Sequence, residues 1–146
     1  MSEWRDRLID SSDAIGRVLT ETRRIAVLGI KTEAQRGQPA FYVPEYMARA
    51  GYDIVPVPVY YPGVTTILDR PVYRSLAEVP GPVDMVDVFR RPADIPPHVP
   101  DIIAARPRVA WFQLGIRNDE SAEALARAGI DVVQDRCLLV EHRRLR

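Results

Sequence analysis

Several things are scarce in this chain of 146 residues. There is one cysteine, Cys137, so no internal disulfide can form and a reducing compartment is the expected setting. Formal charge of one sign is missing too. Twenty basic and 20 acidic residues cancel, which excludes a general electrostatic claim on nucleic acid or anionic membrane, so an anion site has to be local. No apolar run approaches the ~20 residues of a membrane span. The opening MSEWRDRLID is charged and helix-like, with no apolar signal region. The expectation is a cytoplasmic protein without nucleic-acid or membrane partners. Lysine is almost absent: Lys31 is the only one among the 20 basic residues.

What is present is a strongly patterned globular sequence, 47% hydrophobic and 27% charged, of a size that fits one domain. We expect residues 1–146 to form a single unit: an N-terminal helix over 1–22, a core over 23–137 and an arginine-rich tail over 138–146. Trp4, Leu8, Ile15, Val18 and Leu19 recur near a helical period and predict an amphipathic helix lying against the body. Strands are predicted at Arg24–Leu28, Asp53–Val57, 83–89, 108–114 and 130–134. Asp84 and Asp87 interrupt the third, and carboxylates near a strand are usually edge or end features. Helices are predicted from Pro39 to the stop at Gly51, over 97–105, and from the cap Asn118 to Ala128. Strands alternating with helices imply a doubly wound α/β fold, a parallel sheet of five strands covered on both faces.

In such a sheet the ligand crevice lies beyond the carboxyl ends of the strands. That rim gathers Gly29 and its loop, 56–60, 89–91, 113–116 and 135–137. Gly29 permits a sharp turn; Lys31, Thr32 and Arg36 offer a cation, a hydroxyl and a guanidinium fork for phosphate. A dinucleotide fingerprint would need glycines where Lys31 and Ala34 stand, and an acid where Val57, Pro58 and Val59 stand, so NAD is disfavoured. Ile30-Lys31 and Arg90-Arg91 fail the acid requirements of a receiver domain, and there is no Walker motif. His98 and His142 read as surface residues, and no nucleophile–base pairing emerges. Cys137 reads as a small half-buried packing residue at the rim.

The motifs IAVLGIK, GYDIVPV, VDMVDVFRRP, VAWFQLGIRNDE and DVVQDRC, in this order from about residue 24 to 137, resemble the small bacterial and archaeal CoA-binding domain proteins. That family shares its fold with the nucleotide-binding part of the succinyl-CoA synthetase alpha subunit. The resemblance implies a Rossmann-like three-layer fold of strand order 3-2-1-4-5 with coenzyme A (CoA) across the rim. It would put Gly29, Ile30, Lys31 and Thr32 at the pyrophosphate turn and Pro56 and Val57 at the adenosine side. Phe89 and Arg90 would form a wall, and Gln113, Leu114 and Gly115 the pantetheine side. The family's V-N-P and following basic residue are replaced here by Val57, Pro58, Val59 and Tyr60, which removes one phosphate cation unless Lys31 or Arg36 replaces it. The synthetase's phosphohistidine domain has no counterpart, so ligase activity does not carry over. The expected function is a non-catalytic CoA or acyl-CoA binding module, monomeric or homodimeric, working with or without a partner enzyme subunit. Two alternatives stand beside it: a regulator binding another nucleotide or phosphorylated ligand, and a thiol-exchange enzyme using Cys137.

Overall fold

The computed structural model describes residues 3–145; residues 1, 2 and 146 of the expected helix and tail lie outside them. Strands β1 (Arg24–Leu28), β2 (Asp53–Val57), β5 (Met85–Val88), β6 (Val109–Phe112) and β7 (Asp131–Val133) form one sheet, all neighbours parallel. A separate two-stranded hairpin joins β3 (Thr66–Ile67) to β4 (Arg70–Pro71). Helices α1 (Ser12–Glu21), α2 (Pro39–Arg49) and α5 (Leu138–Arg143) cover one face; α3 (Val99–Ala105) and α4 (Asp119–Arg127) cover the other.

Alternation along each strand divides the core in two. Ala26, Leu28, Val86, Val88 and Phe112 pack with Ile102 and Leu125 of α3 and α4. Ile25, Val27, Met85 and Trp111 pack with Leu19, Phe41 and Leu138 of α1, α2 and α5. The doubly wound three-layer α/β architecture is therefore the observed one.

The strand order corrects the expectation. The sheet runs β2-β1-β5-β6-β7, which is 2-1-3-4-5 in chain order, where the resemblance implied 3-2-1-4-5. Two local features explain it. Asp53 N–H donates to Arg23 O, and Val57 O accepts from Gly29 N–H, so residues 53, 55 and 57 bond β1 while Pro56 faces outward. Proline has no N–H to offer another strand, and β2 is an edge. Segment 70–73 covers that edge, with Tyr73 N–H donating to Pro56 O at 3.0 Å. Meanwhile Asp84 Oδ2 accepts from both Arg23 N–H and Arg24 N–H at 2.9 Å. That pair of hydrogen bonds from the start of β1 to one carboxylate oxygen docks β5 directly beside it. The chain therefore reverses its winding between β1 and β5, and crevices form at such reversals.

Asp87 is a second correction. It lies in the middle strand of the sheet, not at an edge or end, and is 1% exposed. The N-terminal segment departs as well: it is a 3-10 turn (Trp4–Arg7), then extended chain, then α1 capped by the Ser11 side chain. Leu8 makes a parallel bridge to Val132, and Ile9 N–H donates to Val132 O at 2.8 Å. The edge of β7 is thereby covered, which protects it from pairing with another chain. The prolines at 92, 96 and 97 shorten the third helix to Val99–Ala105, preceded by two 3-10 turns, because proline is accommodated only where no helical N–H is needed. Part of the expected tail is helix α5.

Candidate functional site

Beyond the carboxyl ends of β1, β5 and β6 lies a cavity of about 460 Å³, a size typical of small-molecule sites. Its walls come from four places: Lys31 and the start of α2 (Gln38, Pro39, Ala40, Tyr42), residues 89–92 after β5, residues 113–116 after β6, and Cys137 after β7.

Of the residues singled out in the sequence, Lys31, Phe89, Arg90, Gln113, Leu114 and Gly115 line this cavity together; Gly29, Ile30, Thr32, Arg36, Pro56 and Val57 do not. Gly29 has φ +89°, and a Cβ there would stand 2.2 Å from Phe89 O. The demand for glycine is thus set by the backbone leaving β5. Ile30 and Val57 are core side chains, 1% and 0% exposed. Thr32 caps the 3-10 turn Glu33–Gln35: its hydroxyl accepts from Ala34 N–H and donates to Gln35 Oε1 at 2.8 Å. Arg36 turns away onto the Phe41 ring, with Glu45 at 3.5 Å.

Two ends of the cavity differ in chemistry. At one, the Lys31 ammonium donates to Gln38 Oε1, which occupies the side chain that precedes α2 and leaves it uncapped by that residue. A lysine, a helix N-terminus and the neighbouring Arg90 and Arg91 make this end suited to an anion. Arg90 is held in place: its Nε–H donates to His98 Nε2 at 3.2 Å, and Asp94 lies 3.9 Å from its terminal nitrogen. His98 is half-buried here, not a surface residue. Burial and then the Arg90 charge hold its imidazole below the usual histidine range, with Asp101 and Asp94 pulling the other way. At the opposite end Leu114, Ile116 and Cys137 present apolar and thiol surface. Leu114 is 68% exposed and forms a lip. Among the described residues no cluster of acidic, histidine or cysteine side chains is arranged to hold a metal.

Below the cavity, Gln113 Nε2 donates to Asp87 Oδ1 at 2.5 Å, and its Oε1 accepts from Leu138 N–H at 3.3 Å. Burial pushes the Asp87 carboxyl up to about 8, opposed only by that hydrogen bond. Sequence reading passed over Gln38 and Tyr42, took Asp87 for an edge or end feature and took His98 for a surface residue. The signal available for Asp87 was the unbroken burial expected of a central strand, VDMVDV; nothing local marked His98, whose partner is eight residues away.

A family model described as CoA binding domain matches residues 23–143. The chain belongs to the CoA binding domain family. This CoA binding domain is 33% identical to the Bacillus subtilis (strain 168) protein YneT over 132 residues, covering 90% of this chain and 94% of that one. A solved Thermus thermophilus protein superposes with a TM-score of 0.85 at 39% identity, covering 94% of this chain and all of the other. A hypothetical protein from Pyrococcus horikoshii OT3 gives 0.83 at 31% identity, covering 93% and 92%. No helix among the described residues is long and apolar enough to cross a membrane.

Proposed function

We propose that the domain binds coenzyme A or an acyl-CoA in the strand-end cavity and has no chemistry of its own. The observation that carries this reading is the lining of the cavity, with Lys31, Arg90, Arg91 and the start of α2 on the β1–β5 side and Leu114, Ile116 and Cys137 on the β6–β7 side. The diphosphate of CoA suits Lys31, the first turn of α2 and Arg90. The pantetheine arm suits Gln113, Leu114 and the wall at Cys137. In this arrangement Arg90 and Arg91 take the part that the sequence reading gave to Arg36, and so answer for the basic residue replaced by Tyr60. That tyrosine is 70% exposed, on a loop whose carbonyls at 60, 61, 62 and 64 accept from Arg74.

Both histidines are committed elsewhere, His98 to Arg90 and His142 to Tyr46 at 2.9 Å. Neither stands as a base for Cys137, which favours binding over thiol exchange. A second reading, a regulator binding another nucleotide, draws on the same cationic end, which recognises phosphate whatever follows it. Calorimetry of the whole chain with CoA, dephospho-CoA, ADP and NAD separates them. The proposal expects CoA to bind best; ADP binding as tightly as CoA favours the second reading, and no uptake of CoA at millimolar concentration overturns the first.

A further inference from the structure

Beneath the cavity, behind Gln113, lies a buried carboxyl that contacts no ligand placed there. Asp87 lies on β5 with Val27 and Trp111 as its lateral partners in the sheet. Its Oδ1 accepts from Gln113, while its Oδ2 is buried with no hydrogen-bond partner among the described residues. Unsatisfied carboxyl oxygens in a core are costly, and an apolar side chain packs there without that cost. A buried acid at the centre of a sheet therefore calls for a reason beyond packing.

The bonds around it supply one. Gln113 lines the cavity, and so does Cys137, the residue directly before Leu138. Gln113 is tied to Asp87 through Nε2 and to Leu138 N–H through Oε1. A glutamine amide has two nearly equivalent flips, distinguished only by which neighbour accepts and which donates. Asp87 and Leu138 together select one, leaving the second Nε2 hydrogen as a donor for a ligand carbonyl.

We propose that Asp87 is a positioning residue for the cavity, its carboxyl fixing the orientation of the Gln113 amide and, through it, the start of α5 against the ligand. The proposal rests on the cavity being the CoA site. It carries a pH signature. Below about 8 the carboxyl is neutral; above it, a buried negative charge stands beneath a site for a polyanion. Charged groups on the covering helices are Asp13, Arg17 and Glu21 of α1, Glu45 and Arg49 of α2, and Glu141, His142 and Arg143 of α5, with Arg144 just after it. Lys31 and Arg90 stand at the strand ends. None of these makes a hydrogen bond or ion pair to Asp87, so its ionisation is uncompensated.

The test uses the full chain as wild type, Asp87→Asn and Asp87→Val. NMR without ligand follows the Gln113 side-chain amide and the Leu138 backbone amide; calorimetry follows desulfo-CoA, which has no thiol to titrate, below and above pH 8. In Asp87→Val both amides lose protection from exchange, and affinity falls roughly tenfold, one bond's worth of orientation. In Asp87→Asn, which keeps an acceptor, the amides recover, and the loss of affinity above pH 8 seen in wild type disappears. Unchanged amides in Asp87→Val overturn the proposal, as does wild-type affinity in that variant. Should Asp87→Val fail to fold, a fall in affinity above pH 8 that persists in Asp87→Asn overturns it. A wild type that takes up no ligand overturns the proposed function instead, and the ligand-free amide comparison then decides the role of Asp87 by itself.

Discussion

Gly29 and Asp87 both occupy positions where the side chain is set by the centre of the sheet. At Gly29 a Cβ would meet Phe89 O at 2.2 Å on a backbone with φ +89°. The left-handed conformation alone costs an L-residue about 1–2 kcal/mol, and the collision with a backbone atom adds to it. Gly29→Ala is expected to lower unfolding free energy by about 2–4 kcal/mol, read from the denaturant midpoint. For Asp87 the sign follows from linkage. The carboxyl titrates near 3.8 when unfolded and about 8 when folded, so the folded state holds the extra proton between these values. Its contribution to stability is complete below pH 3.8, declines as pH rises, and is gone past 8. Asp87→Asn removes this dependence. Its stability relative to wild type should climb through that window by a few kcal/mol, as followed by denaturation at a series of pH values; a constant difference would count against a neutral buried carboxyl. Lys31→Ala removes a cation from the helix start, and a CoA affinity ten- to a hundredfold lower is expected by calorimetry, the equivalent of about 1.5–3 kcal/mol.

Among the elements, α4 shows how far local signals reach. Asn118 caps it, with Oδ1 accepting from Ser121 N–H at 2.9 Å, as the run NDE predicts. The same side chain also donates to Pro92 O at 2.9 Å, fastening the cap to the loop beside the cavity. Asn118→Ala should therefore cost about 1–2 kcal/mol, more than an isolated cap, with a matching fall in melting temperature. The span of β1, β2 and α2 was legible because each carries its own periodicity and its own stop. The N-terminal helix was not. Its apolar spacing suits a helix, but Leu8 and Ile9 gain more by closing the open edge of β7, and α1 starts afresh at the Ser11 cap. Thr32 and Arg36 were misplaced for a related reason: residue type announced phosphate chemistry, while a capping box and Glu45 had already claimed their side chains.

For the molecule as a whole, the winding reversal between β1 and β5 places one cavity where four strand exits converge. A ligand held there touches loops from both halves of the sheet and binds only the folded chain. CoA at a hundred times its dissociation constant should stabilise the domain by about 2.7 kcal/mol, which raises the melting temperature by roughly 5–10 °C for a chain of this length. Differential scanning fluorimetry against CoA concentration measures it, and a melting temperature indifferent to CoA would contradict binding at this site.

The residues alone determined the α/β class, the five strands of the parallel sheet and the rim at which the cavity opens, because period-2 and helical patterns, caps and stops are encoded within a few positions. They also carried the cue for the true strand order, in Pro56, whose missing N–H makes an edge strand. Only the tertiary structure decided that Asp84 binds the start of β1, that Arg90 leans on His98, and that Asp87 lies neutral under Gln113. Each of those is a contact between groups brought together by the sheet order, and sheet order is settled by which buried donors and acceptors find partners across the whole chain.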